Sequence, residues 1–168
     1  MFGDKWKNNK NTKGFTIVEV MVVILVFVTV FLSILSFFSL DIKSSERSRM
    51  KLSAIAFCEE AMEAARSFRD NTKWSDSGIG KLTVNINYHP VVGSSGWDMV
   101  LGSENINGFI RNVVFYKVSR DGNDNIETSY NPINDDPNTR KVVVTVTWTD
   151  RQGETSETLS TYLTNWRE

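Results

Sequence analysis

The chain has 168 residues, enough for one globular domain with an appendage and too few for two full domains. A formal net charge of -1 gives no overall basic field, so composition offers no footing for a nucleic-acid partner. The single cysteine, Cys58, excludes an internal disulfide framework and reads as a small buried residue on a helix face.

In chain order, residues 1 to 13 come first, with Lys5, Lys7, Lys10 and Lys13 set against Asp4 and separated by Asn8, Asn9 and Asn11. No apolar face can be built from them, so they read as a solvated basic arm. From Phe15 to Leu40 the sequence is almost unbroken apolar, FTIVEVMVVILVFVTVFLSILSFFSL, without glycine or proline. As a helix this run rises roughly 39 Å, enough to cross a hydrocarbon core of about 30 Å. Val and Ile are abundant, but the run far exceeds a strand of about 5–6 residues. A helix also satisfies its own backbone in lipid. Lysines before the span and a long polar domain after it predict a cytoplasmic N-terminus and an external head, despite Arg47, Arg49 and Lys51. An ordinary cleaved signal peptide fits poorly, because the apolar run outlasts a typical core of about 7–15 residues. The Ala54-Ile55-Ala56 triplet lies beyond Asp41, Lys43, Glu46 and Arg47, inside a helical pattern.

Glu19 stands out, since an ionisable group within a span is costly and is a functional candidate by default. The plainer reading puts it at the bilayer edge, helped by the positive end of the helix dipole. Thr29, Ser33 and Ser36 share one helix face at i, i+4 and i+7. They form either a small-residue packing stripe against other helices or hydroxyls bonded back to their own helix.

The string Lys13-Gly14-Phe15-Thr16-Ile17-Val18-Glu19 resembles the prepilin cleavage motif of type IV pilins and type II secretion pseudopilins. Basic leader, glycine, phenylalanine, aliphatic run, glutamate at the fifth mature position and uninterrupted apolar helix all match. The resemblance implies that a membrane aspartyl peptidase cuts between Gly14 and Phe15 and methylates the new amine of Phe15. It also implies that Glu19 meets the N-terminal amine of a neighbouring subunit during assembly. The chemistry agrees: glycine offers no side chain to hinder a protease, and a free α-amine with a reference pKa of about 7.7–8.0 supplies a cation. An unpaired charge in an apolar bundle costs several kcal/mol, so the pair favours one axial register. The partners implied are the prepilin peptidase/methyltransferase, other pilin or pseudopilin subunits, the assembly platform and membrane lipid, with no nucleic acid.

Residues 41 to 70 continue as an amphipathic helix. Ala54, Cys58, Ala61, Ala65 and Phe68 recur at helical spacing, flanked by Phe57 and Met62, while Glu59, Glu60 and Glu63 read as a solvated face. After Asn71 the period changes to two. Strands are predicted at Lys81 to Tyr88, Ile110 to Val118, Lys141 to Trp148 and about Glu154 to Leu163, with a hairpin turn at Asp150 to Gly153. Segments 89–108 and 121–139 read as variable loops. The expected architecture is therefore α+β: a leader over 1–14, an assembly helix over 15–40, an amphipathic helix over 41–70, and an antiparallel head of about four strands over 71–168. The final portion from Val142 to Trp166 resembles the C-terminal hairpin of minor pilins and the smaller pseudopilins, which points to a minor subunit. The lack of a C-terminal cysteine pair points the same way.

No catalytic constellation emerges. His89 is the only histidine and precedes Pro90 at an expected strand end, and no P-loop, G-x-G-x-x-G or C-x-x-C occurs. Asp121, Asn123 and Asn125 begin like a calcium loop, yet Ile126 and Pro132 stand where that loop needs glycine and glutamate. An Asx-rich turn is the preferred reading and no cofactor is expected, with calcium at a noncanonical site the alternative that the resemblance to pseudopilins implies. Trp74 and Trp97 lack a surrounding basic patch that would suggest DNA. A structural assembly subunit, membrane-inserted and later part of a surface or periplasmic filament, leads these readings. The alternative is a signal-anchored surface protein whose β domain binds a ligand or envelope partner without polymerising.

Overall fold

The computed structural model describes residues 14–94, 96–151 and 153–167, without the side chains of residues 39–43. The basic leader expected over 1–13 lies outside the described residues, as does Gln152 of the expected hairpin turn. The chain forms two compact units, Met1–Ser45 and Glu46–Glu168.

Helix α1 runs over Ile17–Asn71. Its first part, Ile17–Phe38, has a mean hydropathy of 3.0 and none of its residues is buried. With no glycine or proline to interrupt them, these residues take the one secondary structure that closes every interior backbone hydrogen bond locally.

In the second unit the helical period and the sheet period meet. Ala54, Cys58, Ala61, Met62, Ala64, Ala65 and Phe68 of α1 are buried, as the amphipathic pattern predicts. They pack with Val113, Phe115, Val142, Val144, Val146, Trp148 and Leu163 of the sheet in one core. Alanines on the helix let its backbone approach closely, while the branched residues fill the pleated surface. Burying each large side chain contributes about 1.5–3 kcal/mol.

The head is a single antiparallel sheet of six strands: β1 (Asn87–Gly93), β2 (Gly96–Leu101), β3 (Glu104–Ile106), β4 (Phe109–Ser119), β5 (Asp135–Asp150) and β6 (Gly153–Thr164). The order is β2-β1-β4-β5-β6, with β3 also pairing β4. The expected strands over 110–118, 141–148 and 154–163 are all present, and all three extend beyond their predicted ends. Asp150 pairs with Gly153 to close their hairpin, and Gly153 takes φ 126°, a conformation that favours glycine.

Several expectations fail, including the count of about four strands, which is six. Residues 81–86 alternate in burial as a strand would but are not a strand. Asn85 sits at φ 62°, which turns the backbone out of the extended region, and its N–H bonds Phe115 O at 2.9 Å as a lone contact. The true first strand begins at Asn87 and runs through His89 and Pro90 into what the sequence suggested was a loop. Pro90 is tolerated because β1 pairs β4 only at Asn87 and Tyr88, so the missing amide falls beyond the end of that pairing. Segment 89–108 therefore holds most of β1, all of β2 and β3, and their turns. Segment 121–139 is a loop only as far as a 3-10 turn at Pro132–Asn134, after which β5 begins.

Candidate assembly site

The residues singled out in the N-terminal motif stand together at the start of α1. Gly14, Phe15 and Thr16 precede the helix and are exposed, Phe15 at 81 %. A Cβ built on Gly14 would meet nothing within 4 Å, and its φ is not in the left-handed region. Neither packing nor backbone geometry within the chain requires glycine there.

Thr16 was not singled out in the sequence, and it organises the site. The N–H of Glu19 donates to Thr16 Oγ1 at 3.3 Å, making Thr16 the N-cap and Glu19 the third helical residue. The spacing T-x-x-E is the signature of a capping box, which was there to be read. The cap satisfies an otherwise orphaned amide and fixes where the helix begins, so the Glu19 carboxylate stands one turn from the Phe15 end. The positive end of the helix dipole favours that carboxylate.

Along the span, the Thr29, Ser33 and Ser36 hydroxyls donate to Val26 O (2.9 Å), Thr29 O (2.8 Å) and Leu32 O (3.0 Å) of their own helix. In this chain they are bonded back, leaving a shallow apolar groove of Thr29, Val30, Ser33, Ile34, Phe37 and Phe38. Phe27 and Phe31 stack with centroids 6.4 Å apart.

The family model described as the prokaryotic N-terminal methylation motif matches residues 9–35. The match supports a prepilin-type, type IV pilin-like protein. No curated protein and no solved structure matches it. In a prepilin-type chain the motif implies processing by a prepilin peptidase and assembly with other pilin subunits. The segment Ile17–Phe38 is long and apolar enough to cross a membrane, and together with the motif it supports a membrane-anchored protein.

In the head, the residues singled out from the sequence sit in structural contacts. Cys58 is buried at 2 % exposure, and that burial pushes its thiol up from the usual range against the opposing backbone contact of Val146. His89 lies within the β1–β2 hairpin opposite Val100, not at a strand end, with Nδ1 3.4 Å from Gly102 O. Asp121 accepts the backbone N–H groups of Asn123 and Asn125, both at 2.9 Å, and Asn125 Nδ2 at 3.2 Å. Those bonds, the Asn125 amide first, hold its carboxyl below the usual range. The geometry is that of an Asx turn.

Sequence reasoning missed Arg111. It is 2 % exposed, on the helix-facing side of β4 between α1 and β3. Its guanidinium donates to Glu104 Oε2 (2.6 and 3.1 Å), Glu60 Oε2 (2.9 Å) and Phe57 O (3.3 Å). Glu60 is exposed as expected, yet it is an ion-pair partner and not simply a solvated carboxylate. The signal was available: Arg111, Val113 and Phe115 share one parity in the strand pattern, so the arginine had to face the core.

Proposed function

We propose that this chain is a minor subunit of a type IV pilus or type II secretion pseudopilus. In this reading prepilin peptidase cuts between Gly14 and Phe15 and methylates the Phe15 amine. The carrying observation is the motif from Gly14 to Glu19 at the head of a helix whose apolar side chains from Phe15 to Phe38 are exposed. A segment of this kind must find either lipid or like helices to cover it. Lipid covers it after insertion, with the N-terminus cytoplasmic and the head outside. Other subunits cover it in the filament, where Glu19 neutralises the amine of a neighbour. The leader, the assembly helix over 15–40, the amphipathic helix over 41–70 and the head over 71–168 thus have successive tasks. The role is structural rather than enzymatic, and it requires no cofactor.

Mass spectrometry of the mature chain tests the first step: an N-methylated Phe15 start is expected, and a chain that keeps Met1 overturns the proposal. Glu19→Ala tests the second. Loss of filament incorporation with normal membrane insertion supports assembly. Unchanged behaviour favours a monomeric, signal-anchored surface protein.

A further inference from the structure

The sheet face turned away from α1 carries an aromatic and cationic site that assembly through the N-terminal helix leaves unused. Tyr116 pairs across the sheet with Lys141, and Lys141 with Tyr162, so the three side chains form one row over β4, β5 and β6 on that face. Both rings are exposed, Tyr116 at 38 % and Tyr162 at 45 %. Lys141 has no anionic partner among the described residues.

The loop after β4 brings a third ring to the row. Tyr130 donates its hydroxyl to Asp135 Oδ1 at 3.0 Å, and the Lys117 ammonium lies 5.9 Å from its ring centroid. Lys117 also approaches Asp135 Oδ2 at 3.7 Å, so ring and cation are held by one carboxylate. Tyr116, Tyr130, Tyr162, Lys117 and Lys141 surround one open concavity of about 330 Å³, floored in part by Val143. Glu127 borders it; one of its oxygens accepts from Asn134 Nδ2 at 3.2 Å, and Oε2 has no partner among the described residues.

We propose that this concavity binds a glycan bearing carboxylate groups. Flat exposed rings present negative π faces to the polarised C–H edges of a sugar, and ordering them costs little conformational entropy. The Tyr116 and Tyr162 hydroxyls match sugar hydroxyls. The Lys141 ammonium, set between two rings, pairs with the acidic substituent, and a hydrogen bond to a charged group is stronger than a neutral one. Two lysines, one of them paired with Asp135, are too few to follow a nucleic-acid backbone, which needs an extended cationic track. A purely apolar ligand would strand the amines and hydroxyls. The size is at the lower end of ligand pockets, about 300–1,000 Å³, and suits a short saccharide segment.

The test uses the full chain in lipid nanodiscs and isothermal titration with a tetrasaccharide of alternating glucuronate and N-acetylglucosamine. Its carboxyl-reduced, neutral form is the control. The acidic form is expected to bind at least about tenfold more tightly than the reduced one, and Lys141→Met to abolish that difference while Lys141→Arg keeps it. Tyr162→Ser should weaken both forms about three- to tenfold. Tyr162→Leu, which keeps apolar bulk on the strand, should do the same if the serine variant fails to fold. No binding at millimolar sugar, or a Lys141→Met chain that still prefers the acidic form about tenfold, overturns the proposal. So does a Tyr162→Ser chain that binds sugar normally but self-associates less, which would make the face a contact between copies.

Discussion

The two halves of α1 are built from the same backbone and reach opposite solutions. Between Ile17 and Phe38 every face is apolar and no residue is buried, so the segment has no inside. Between Ala54 and Phe68 small and apolar residues keep to one stripe, and that stripe disappears into the head. The second half completes a core within its own unit, whereas the first depends on lipid or on other helices. A helix with one apolar stripe encodes a partner in the same chain; one apolar all round encodes a partner outside it.

Substitutions that break this contrast should act on one half and spare the other. The largest effect is expected from Gly14→Leu, which meets no obstacle in the fold yet should block processing almost completely. Immunoblots should show precursor accumulating while the thermal midpoint of the head stays unchanged. A shifted midpoint would mean that Gly14 serves the fold after all.

Arg111→Met tests the other half. The buried guanidinium ties β4 to α1 through Glu60 and to β3 through Glu104, and its loss should cost the head about 2–3 kcal/mol in denaturant unfolding. Both carboxylates keep some access to water, which limits the penalty of leaving them unpaired. Cleavage at Gly14 should proceed normally as long as the head folds.

Acid sensitivity sharpens the contrast further. Burial alone would raise the Asp136 carboxyl, but bonds from Thr139, Arg120 and Asn138 outweigh it and hold the group below its usual range. A depressed carboxyl stabilises the folded head above the unfolded pKa of about 3.9, and that stability is lost as pH falls through the folded value. The head should therefore lose stability below about pH 4, and Asp136→Asn should flatten that limb of the pH–stability curve. An identical limb in the variant would assign the acid loss to other groups.

The smallest effect belongs to Thr16→Ala. Loss of an N-cap costs about 1 kcal/mol, here confined to the first turn that holds Glu19. Head stability should not change, while filament incorporation falls by a few-fold and Thr16→Ser restores it. An alanine variant that assembles normally would show that Glu19 needs no help from the cap.

The local features were legible in the chain because local physics governs them. The span follows from apolar length alone, Gly14 to Glu19 from residue order, and the amphipathic stripe from its period. The T-x-x-E cap was equally local and went unread. Strands β4, β5 and β6 announced themselves by alternation and a hairpin. Residues 81–86 alternate just as well, yet Asn85 turns out of the extended region and the strand starts six residues later than its pattern. Pattern records which side chains face the core; hydrogen-bonded pairing decides which backbone is a strand. The tertiary structure alone placed Glu60 and Glu104 on one guanidinium and set Tyr116, Lys141 and Tyr162 in a row. Those residues are distant in sequence, and no period links them. Sequence by itself determined the apolar segment and the Gly14–Glu19 motif, because both are properties of consecutive residues. Which surfaces the head presents was decided only by strand register, which brings separated residues side by side.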